Sequence, residues 1–403
     1  MTIDWSQHYA PRAARMTASE IRELLKLLDQ PDIISFAGGI PDPKLFPAAE
    51  IAAAYQRILA DPKRVAAALQ YSVSEGYLPL REWLVGYMAR RGVDCGPDNI
   101  LITNGAQQGL DFIGKLFIAA GDVVLVDAPT YLGALQAFNA YEPDYDLLPG
   151  PTNNRTLESY SANGQRKPKL GYAMPEFQNP SGRSLTTEQR RQLLDFSDRL
   201  NMPLVEDSPY EKLRYDGEAA EPILAMAARQ AGGIDNTRVM YLGTFSKTVV
   251  PALRIGWVVA PQPVIQKLVL IKQASDLHVS PLNQMVMHEI VPTLIEPHTA
   301  KVREVYKTRR DAMLAALERH MPEGVSWTRP EGGLFVWVTL PDGIDANALL
   351  ARAIAEARVA FVPGAAFFAD RSGKNTLRLS FSLNDPAPTN AGIERLGALI
   401  RKM

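Results

Sequence analysis

From residue 48 to about 290, short apolar runs alternate with stretches whose apolar positions recur at helical spacing. The runs at 100–103, 123–127, 170–174, 204–206, 239–243 and 255–260 have strand length. Between them 107–120, ended by Gly121, and 188–200, with Leu193, Phe196 and Leu200 on one face, read as helices. Strands separated by helices predict right-handed βαβ units and a mostly parallel sheet covered on both faces. In such a sheet the ligand site lies beyond the carboxyl ends of the strands.

The flanks have a different rhythm. Thr17-Ala-Ser-Glu20 has capping-box spacing, and Ile21, Leu24, Leu25 and Leu28 then fall at i, i+3, i+4 and i+7, which predicts an amphipathic helix with Arg22 off its apolar stripe. Residues 33–43 follow as a loop, because Gly38-Gly39 and two prolines cannot continue a helix. After a long helical pattern at 300–320, strands at 333–340, 359–362 and 376–383 and helices at 346–357 and 390–400 predict a smaller α+β unit. Within it Leu377, Leu379 and Phe381 alternate with Arg378, Ser380 and Ser382. The division expected is an N-terminal arm at 1–47, a large domain at 48–295 and a small one at 296–403.

Composition narrows the class without naming the chemistry. A chain of 403 residues with a formal net charge of -1 has room for two domains and no basic field for nucleic acid. One cysteine, Cys95, excludes an internal disulfide and fits a reducing cytoplasm. Residues 1–10 lack a signal-peptide pattern, and no run approaches eighteen apolar residues, so neither secretion nor a membrane span is expected. His8, His278, His288, His298 and His320 are scattered, and no metal site is expected.

The chemistry gathers at the predicted strand ends. There stand Thr103-Asn-Gly-Ala-Gln107, Asp127-Ala-Pro-Thr-Tyr131, Phe177-Gln-Asn-Pro-Ser-Gly182, Glu206-Asp-Ser-Pro-Tyr210 and Thr244-Phe-Ser-Lys247. Each alone reads as a capping loop or a turn, and a lysine such as Lys247, with an ordinary pKa of about 10.4, normally seeks water. Together they are an inventory for a phosphorylated aromatic aldehyde. The N–H groups of Gly105, Ala106 and Gln107, opening a helix, suit a phosphate, with Thr244, Ser246 and Arg254 completing the cup. Asp207 suits a protonated pyridine nitrogen: at about 4 Å and an effective dielectric near 20 the attraction is roughly 4 kcal/mol. Tyr131 could stack on the ring, and Asn179 and Tyr210 could bond its phenolic oxygen.

The set Ser35-Phe-Ala-Gly-Gly-Ile-Pro, Gln70-Tyr-Ser, Gln178-Asn-Pro-Ser-Gly, Val205-Glu-Asp-Ser-Pro-Tyr, Gly243-Thr-Phe-Ser-Lys and Asn375-Thr-Leu-Arg-Leu-Ser resembles the class I/II pyridoxal-phosphate aminotransferases, most closely the 2-aminoadipate (LysN-like) group. The resemblance implies fold type I: an α/β fold with a mostly parallel seven-stranded sheet in a large domain plus a smaller α+β domain. It implies pyridoxal 5'-phosphate as cofactor, Lys247 as its Schiff-base lysine, Asp207 as partner of the ring nitrogen, Asn179 and Tyr210 at the ring oxygen, and Tyr131 stacked. Arg378 would grip the substrate carboxylate near Asn179 and Gly39, and Arg22 would be placed to meet a distal carboxylate. Tyr71 would reach the phosphate of another subunit, so a homodimer is implied. Ala106 stands where relatives often carry a hydroxyl, which leaves a backbone contact only; Thr244 stands where serine is common and keeps the hydroxyl.

The activity implied is transfer of an α-amino group to a 2-oxo acid such as 2-oxoglutarate by a ping-pong route, with 2-aminoadipate, aromatic or leucine-like donors. A lyase or decarboxylase with the same cofactor would not need to retain the carboxylate that Arg378 is suited to hold. A transcription regulator built on this domain would need a DNA-binding module, and about fifteen residues precede the first matching segment, so that reading is not expected.

Overall fold

The computed structural model describes residues 2–16, 32–150, 153, 155–161 and 167–403. The predicted early helix, Arg22 included, falls outside them. After a short first strand, β1 (Ile34–Ser35), the apolar runs become β2 (Ile100–Asn104), β3 (Val123–Val126), β4 (Asp144–Leu147), β5 (Pro168–Ala173), β6 (Leu204–Asp207), β7 (Val239–Thr244) and β8 (Ile255–Val259). They form one seven-stranded sheet in the order β2-β8-β7-β6-β5-β3-β4. Only β8 runs against its neighbours. Helices cover both faces, so β6, β7 and β8 are buried at every position; β7 and β8 therefore read as nearly unbroken apolar runs, while β6 is apolar at Leu204 and Val205 and ends in the buried Glu206 and Asp207. Full burial of one Val or Leu there is worth about 1.5–3 kcal/mol.

The seventh strand, β4, is absent from the apolar pattern for a physical reason. It lies at the sheet edge with its first residue exposed and the rest half-buried, and its Asp-Tyr-Asp-Leu sequence has no apolar run. A second correction concerns the long helix. It spans Pro281–His320, 40 residues, and passes through Pro292 and Pro297. Each proline removes one backbone hydrogen bond, but packing against the helices Ala48–Ala60 and Pro386–Ile400 carries the helix through. It therefore crosses residue 295, where the two expected domains would meet.

Beyond it, β9 (Ser326–Trp327), β10 (Phe335–Thr339), β11 (Val359–Ala360), β12 (Val362–Pro363) and β13 (Thr376–Ser380) complete the strands. An antiparallel sheet has the order β12-β13-β10-β9, and β11 pairs with β1. The single strand expected at 359–362 is thus two short ones in different sheets. Both faces of β13 are covered, so Arg378 and Ser380, on the polar side of the alternation, are as buried as Leu377 and Leu379. Cys95 is a buried free thiol whose pKa burial raises to about 11, which leaves it unreactive at neutral pH.

Candidate active site

Strand pleat decides which of two adjacent carboxylates faces the cleft. Glu206 points to one side of the sheet, where its two oxygens accept from Ile223 N (2.9 Å) and Leu224 N (2.8 Å) and cap the helix Ile223–Ala231. Asp207, the next residue, faces the other way. Its Oδ2 accepts from the hydroxyl of Tyr172 on the neighbouring strand at 2.8 Å. Its Oδ1 is buried and has no hydrogen-bond partner among the described residues. Burial raises the Asp207 pKa to about 7, against the lowering effect of the Tyr172 bond.

Lys247 follows β7 on a turn fixed by Phe245, whose ring packs 4.8 Å from Trp257 and whose N–H bonds Ile255 O at 3.1 Å. The ammonium donates to Gly39 O at 3.0 Å and lies 5.9 Å from the centre of the Tyr210 ring. Protein packed around it, then the positive charges of Arg378 and Arg254, lower its pKa to about 8.

Beside the lysine, Gly105 (φ +75°) starts the helix Ala106–Phe117, so the first N–H groups have no partner inside the helix. A Cβ on Gly105 would overlap the Arg254 guanidinium, and one on Gly256 would sit 2.6 Å from Ala106 N. Only glycine leaves this cradle open. Thr244 Oγ1 donates to Ser246 Oγ at 2.9 Å, accepts from Ser246 N at 3.1 Å, and lies 3.2 Å from Ile255 O. Arg254 is exposed, takes a left-handed φ of 56°, and donates to Asn104 O and Pro251 O at 3.3 Å each. The Gln107 side chain donates to Gly133 O at 2.7 Å, and its backbone N–H lies in the first turn of the helix. Gly133 in turn makes room for the Tyr131 ring.

Arg378 comes from the small sheet and is 1% exposed. Its guanidinium donates to Asn179 Oδ1 at 2.8 Å and to Ala37 O at 2.9 Å, and lies 4.3 Å and 5.1 Å from the ring centres of Phe335 and Phe367. Nε has no partner, and among the described residues no carboxylate lies within ion-pair distance. Burial lowers its pKa to about 10. Burial pushes the phenol of Tyr210 well up, against the lowering influence of Asn179.

The chain therefore gathers Gly39, Asn179, Tyr210, Lys247 and Arg378 by direct contacts, and Gly105 to Gln107, Thr244, Ser246 and Arg254 into a cradle alongside. Tyr71 does not join them: it is 79% exposed, and its ring meets the edge of His278 at 5.8 Å. The structure adds Tyr172, Phe335 and Phe367, which the sequence did not single out. Their only local signal is that of apolar strand and turn residues, which core positions share.

These residues fit the pyridoxal phosphate that the sequence implies. Asp207 Oδ1 is a buried acceptor with no donor, suited to a protonated ring nitrogen, and the glycine cradle with Arg254 suits a phosphate. The family model described as aminotransferase class I and II matches residues 31–396. The aromatic-amino-acid aminotransferase 1 of Thermococcus litoralis is 42% identical over 409 residues, covering 100% of this chain and 96% of that protein. The 2-aminoadipate transaminase of Thermus thermophilus is 43% identical over 400 residues, covering 99% and 98%. The crystal structure of the Thermus thermophilus α-aminoadipate aminotransferase LysN, complexed with N-(5'-phosphopyridoxyl)-L-leucine, is similar with a TM-score of 0.89 and 40% identity, covering 99% of each chain.

Proposed function

This chain belongs to the class I and II aminotransferases, of PLP fold type I and dependent on pyridoxal 5'-phosphate, and from that premise we propose that it transfers the α-amino group of several amino acids to 2-oxoglutarate in a ping-pong sequence. The observation that carries the proposal is a buried arginine without a carboxylate partner among the described residues, near a lysine whose amine is depressed to about 8. Arg378 receives the α-carboxylate of the amino acid and, in the second half-reaction, that of the 2-oxo acid. One receptor for both fits two substrates that occupy one site in turn.

Thr244, Ser246, Arg254 and the N–H groups of Ala106 and Gln107 would hold the cofactor phosphate, with Gly105, whose own N–H donates to Thr103 O at 2.8 Å, keeping the cradle open. Asp207 would face its ring nitrogen, Asn179 and Tyr210 its ring oxygen, and Tyr131 its face. When bound, the cofactor supplies an electron sink that stabilises charge at the substrate α-carbon. Lys247 Nζ takes the proton from that carbon as general base, and a pKa near 8 leaves it able to accept and return a proton near neutral pH. Asn179, bonded to Arg378, orients the guanidinium toward the same space.

The wider assignment is that 48–295 holds the cofactor, 296–403 carries Arg378, and 1–47 forms an arm. The working unit is a homodimer in the cytoplasm, in which Tyr71 reaches the phosphate of the other subunit. The exposure of Tyr71 supports this. Among the described residues no helix is long and apolar enough to cross a membrane. Donors include 2-aminoadipate, aromatic and leucine-like amino acids, with Arg22 meeting a distal carboxylate. The names of the relatives support the aromatic and 2-aminoadipate donors, and the phosphopyridoxyl-L-leucine bound to LysN supports the leucine-like ones.

The test is donor profiling with 2-oxoglutarate against 2-aminoadipate, glutamate, leucine and phenylalanine. Parallel double-reciprocal lines and activity with at least two donor classes are expected. Intersecting lines, or amino-acid consumption that needs no 2-oxo acid, would replace this reading with a sequential or lyase mechanism. An Arg22→Ala variant that weakens acidic and neutral donors equally would remove Arg22 from the site.

A further inference from the structure

Asp207 holds its two oxygens in unequal surroundings. Oδ2 is occupied by the Tyr172 hydroxyl at 2.8 Å, while Oδ1 is buried and unpartnered. Tyr172 stands on β5 opposite Val205 of β6, so pleat puts Tyr172, Val205 and Asp207 on one face of the sheet. The ring is 1% exposed and meets Phe138 edge-on, with centres 6.0 Å apart at 79°. Burial first, and the Asp207 charge second, raise the Tyr172 phenol well above its usual range, so the hydroxyl remains a donor throughout the working pH range.

We propose that Tyr172 is a positioning residue for the cofactor: its hydroxyl clamps Asp207 so that an ionised Oδ1 faces the ring nitrogen. This rests on the reading of Asp207 as the partner of that nitrogen. Two consequences follow from the geometry. A carboxylate anchored at one oxygen cannot rotate the other away from the ring. The bond also favours the ionised acid, against the burial that raises its pKa to about 7. A neutral carboxylic acid at this place could itself donate to the ring nitrogen, leaving that nitrogen without its proton and the electron sink weakened.

Tyr172→Phe removes the hydroxyl and keeps the ring against Phe138. The readouts are pyridoxal phosphate affinity of the apoprotein and the ¹⁵N chemical shift of the ring nitrogen in holoenzyme loaded with ¹⁵N-labelled cofactor, from pH 6 to 9. The expected result is about tenfold weaker binding, equivalent to about 1.4 kcal/mol, with the ring nitrogen losing its proton at lower pH than in the unsubstituted enzyme. In an Asp207→Asn background the same change should have no effect on either readout. A wild-type ¹⁵N profile with affinity within twofold in Tyr172→Phe would overturn the proposal. So would an equal loss with and without Asp207, which would mark the hydroxyl as structural only. If Asp207→Asn itself leaves the ¹⁵N profile unchanged, the assignment of Asp207 fails instead, and the role of Tyr172 with it. Should Tyr172→Phe not fold, 3-fluorotyrosine at position 172, a stronger donor of nearly the same shape, should shift both readouts the opposite way; no shift would also overturn the proposal.

Discussion

Replacement of Arg378 by lysine tests the carboxylate receptor with the charge retained. A guanidinium has five N–H donors, and the structure uses two of them, on Asn179 Oδ1 and Ala37 O. The unpartnered Nε and the remaining hydrogens are free to grip a carboxylate in bidentate fashion. A lysine ammonium is a point donor on a flexible stem and replaces one of those two bonds. At about 1.5–3 kcal/mol per charge-assisted bond, Arg378→Lys should lower kcat/KM for an amino acid by roughly 10–150-fold. Arg378→Met loses both bonds, about 3–6 kcal/mol, or roughly 10²–10⁴-fold. The assay compares an amino acid with the amine that lacks its carboxylate, followed by single-turnover change in cofactor absorbance. The amine should react equally slowly with all three proteins. Arg378→Met within threefold of the unsubstituted enzyme for the amino acid, or an equal loss for the amine, would refute the reasoning. Stability should move the other way: the guanidinium is buried without an anionic partner among the described residues, so Arg378→Met should leave the apoprotein Tm unchanged or raise it.

The depressed Lys247 amine sets a pH course for cofactor capture. With a pKa near 8 rather than 10.5, the neutral fraction at pH 7 is about 300-fold larger than for an ordinary lysine. The capture rate of the apoprotein, followed by stopped-flow absorbance, should therefore rise about tenfold per pH unit and level off near pH 8; a rise continuing to pH 10 would contradict the burial argument. Gly105→Ala places a Cβ against the Arg254 guanidinium at a positive φ, and should weaken pyridoxal phosphate binding by at least about tenfold with little change in Tm, as strain of about 1–2 kcal/mol falls on the cradle. Asp127 is raised to about 7 by burial, against a hydrogen bond from Gln178 of 2.9 Å. The folded state therefore binds more protons than the unfolded one between pH 4 and 7, and stability falls as pH rises through that window. Asp127→Asn keeps an acceptor for Gln178 and should remove this slope, so its Tm relative to the parent should rise between pH 4 and 7. Tyr71→Ala should leave the fold intact and loosen pyridoxal phosphate in the dimer, measured by equilibrium dialysis; unchanged affinity would remove Tyr71 from the phosphate site.

Sequence alone determined the elements whose cause is local. Fully buried strands such as β7 and β8 are apolar along nearly their whole length, and the parallel sheet follows from the alternation of such runs with helices. The motifs at their carboxyl ends, from Gly105 to Lys247, were legible because each is a few consecutive residues with a chemistry of its own. Strand β4 was not, since an edge strand needs no apolar run, and the helix Pro281–His320 was read short because prolines forbid locally what packing permits globally. What only the tertiary structure decided are relations between distant residues. The bond of Arg378 to Asn179 spans 199 positions and that of Lys247 to Gly39 spans 208. Tyr172 looks like one more core aromatic until β5 pairs with β6 and turns its hydroxyl onto Asp207. The Lys247 pKa belongs to the same class: its causes are burial and the charges of Arg378 and Arg254, and desolvation is a property of the packed interior that no neighbouring residue in the chain encodes.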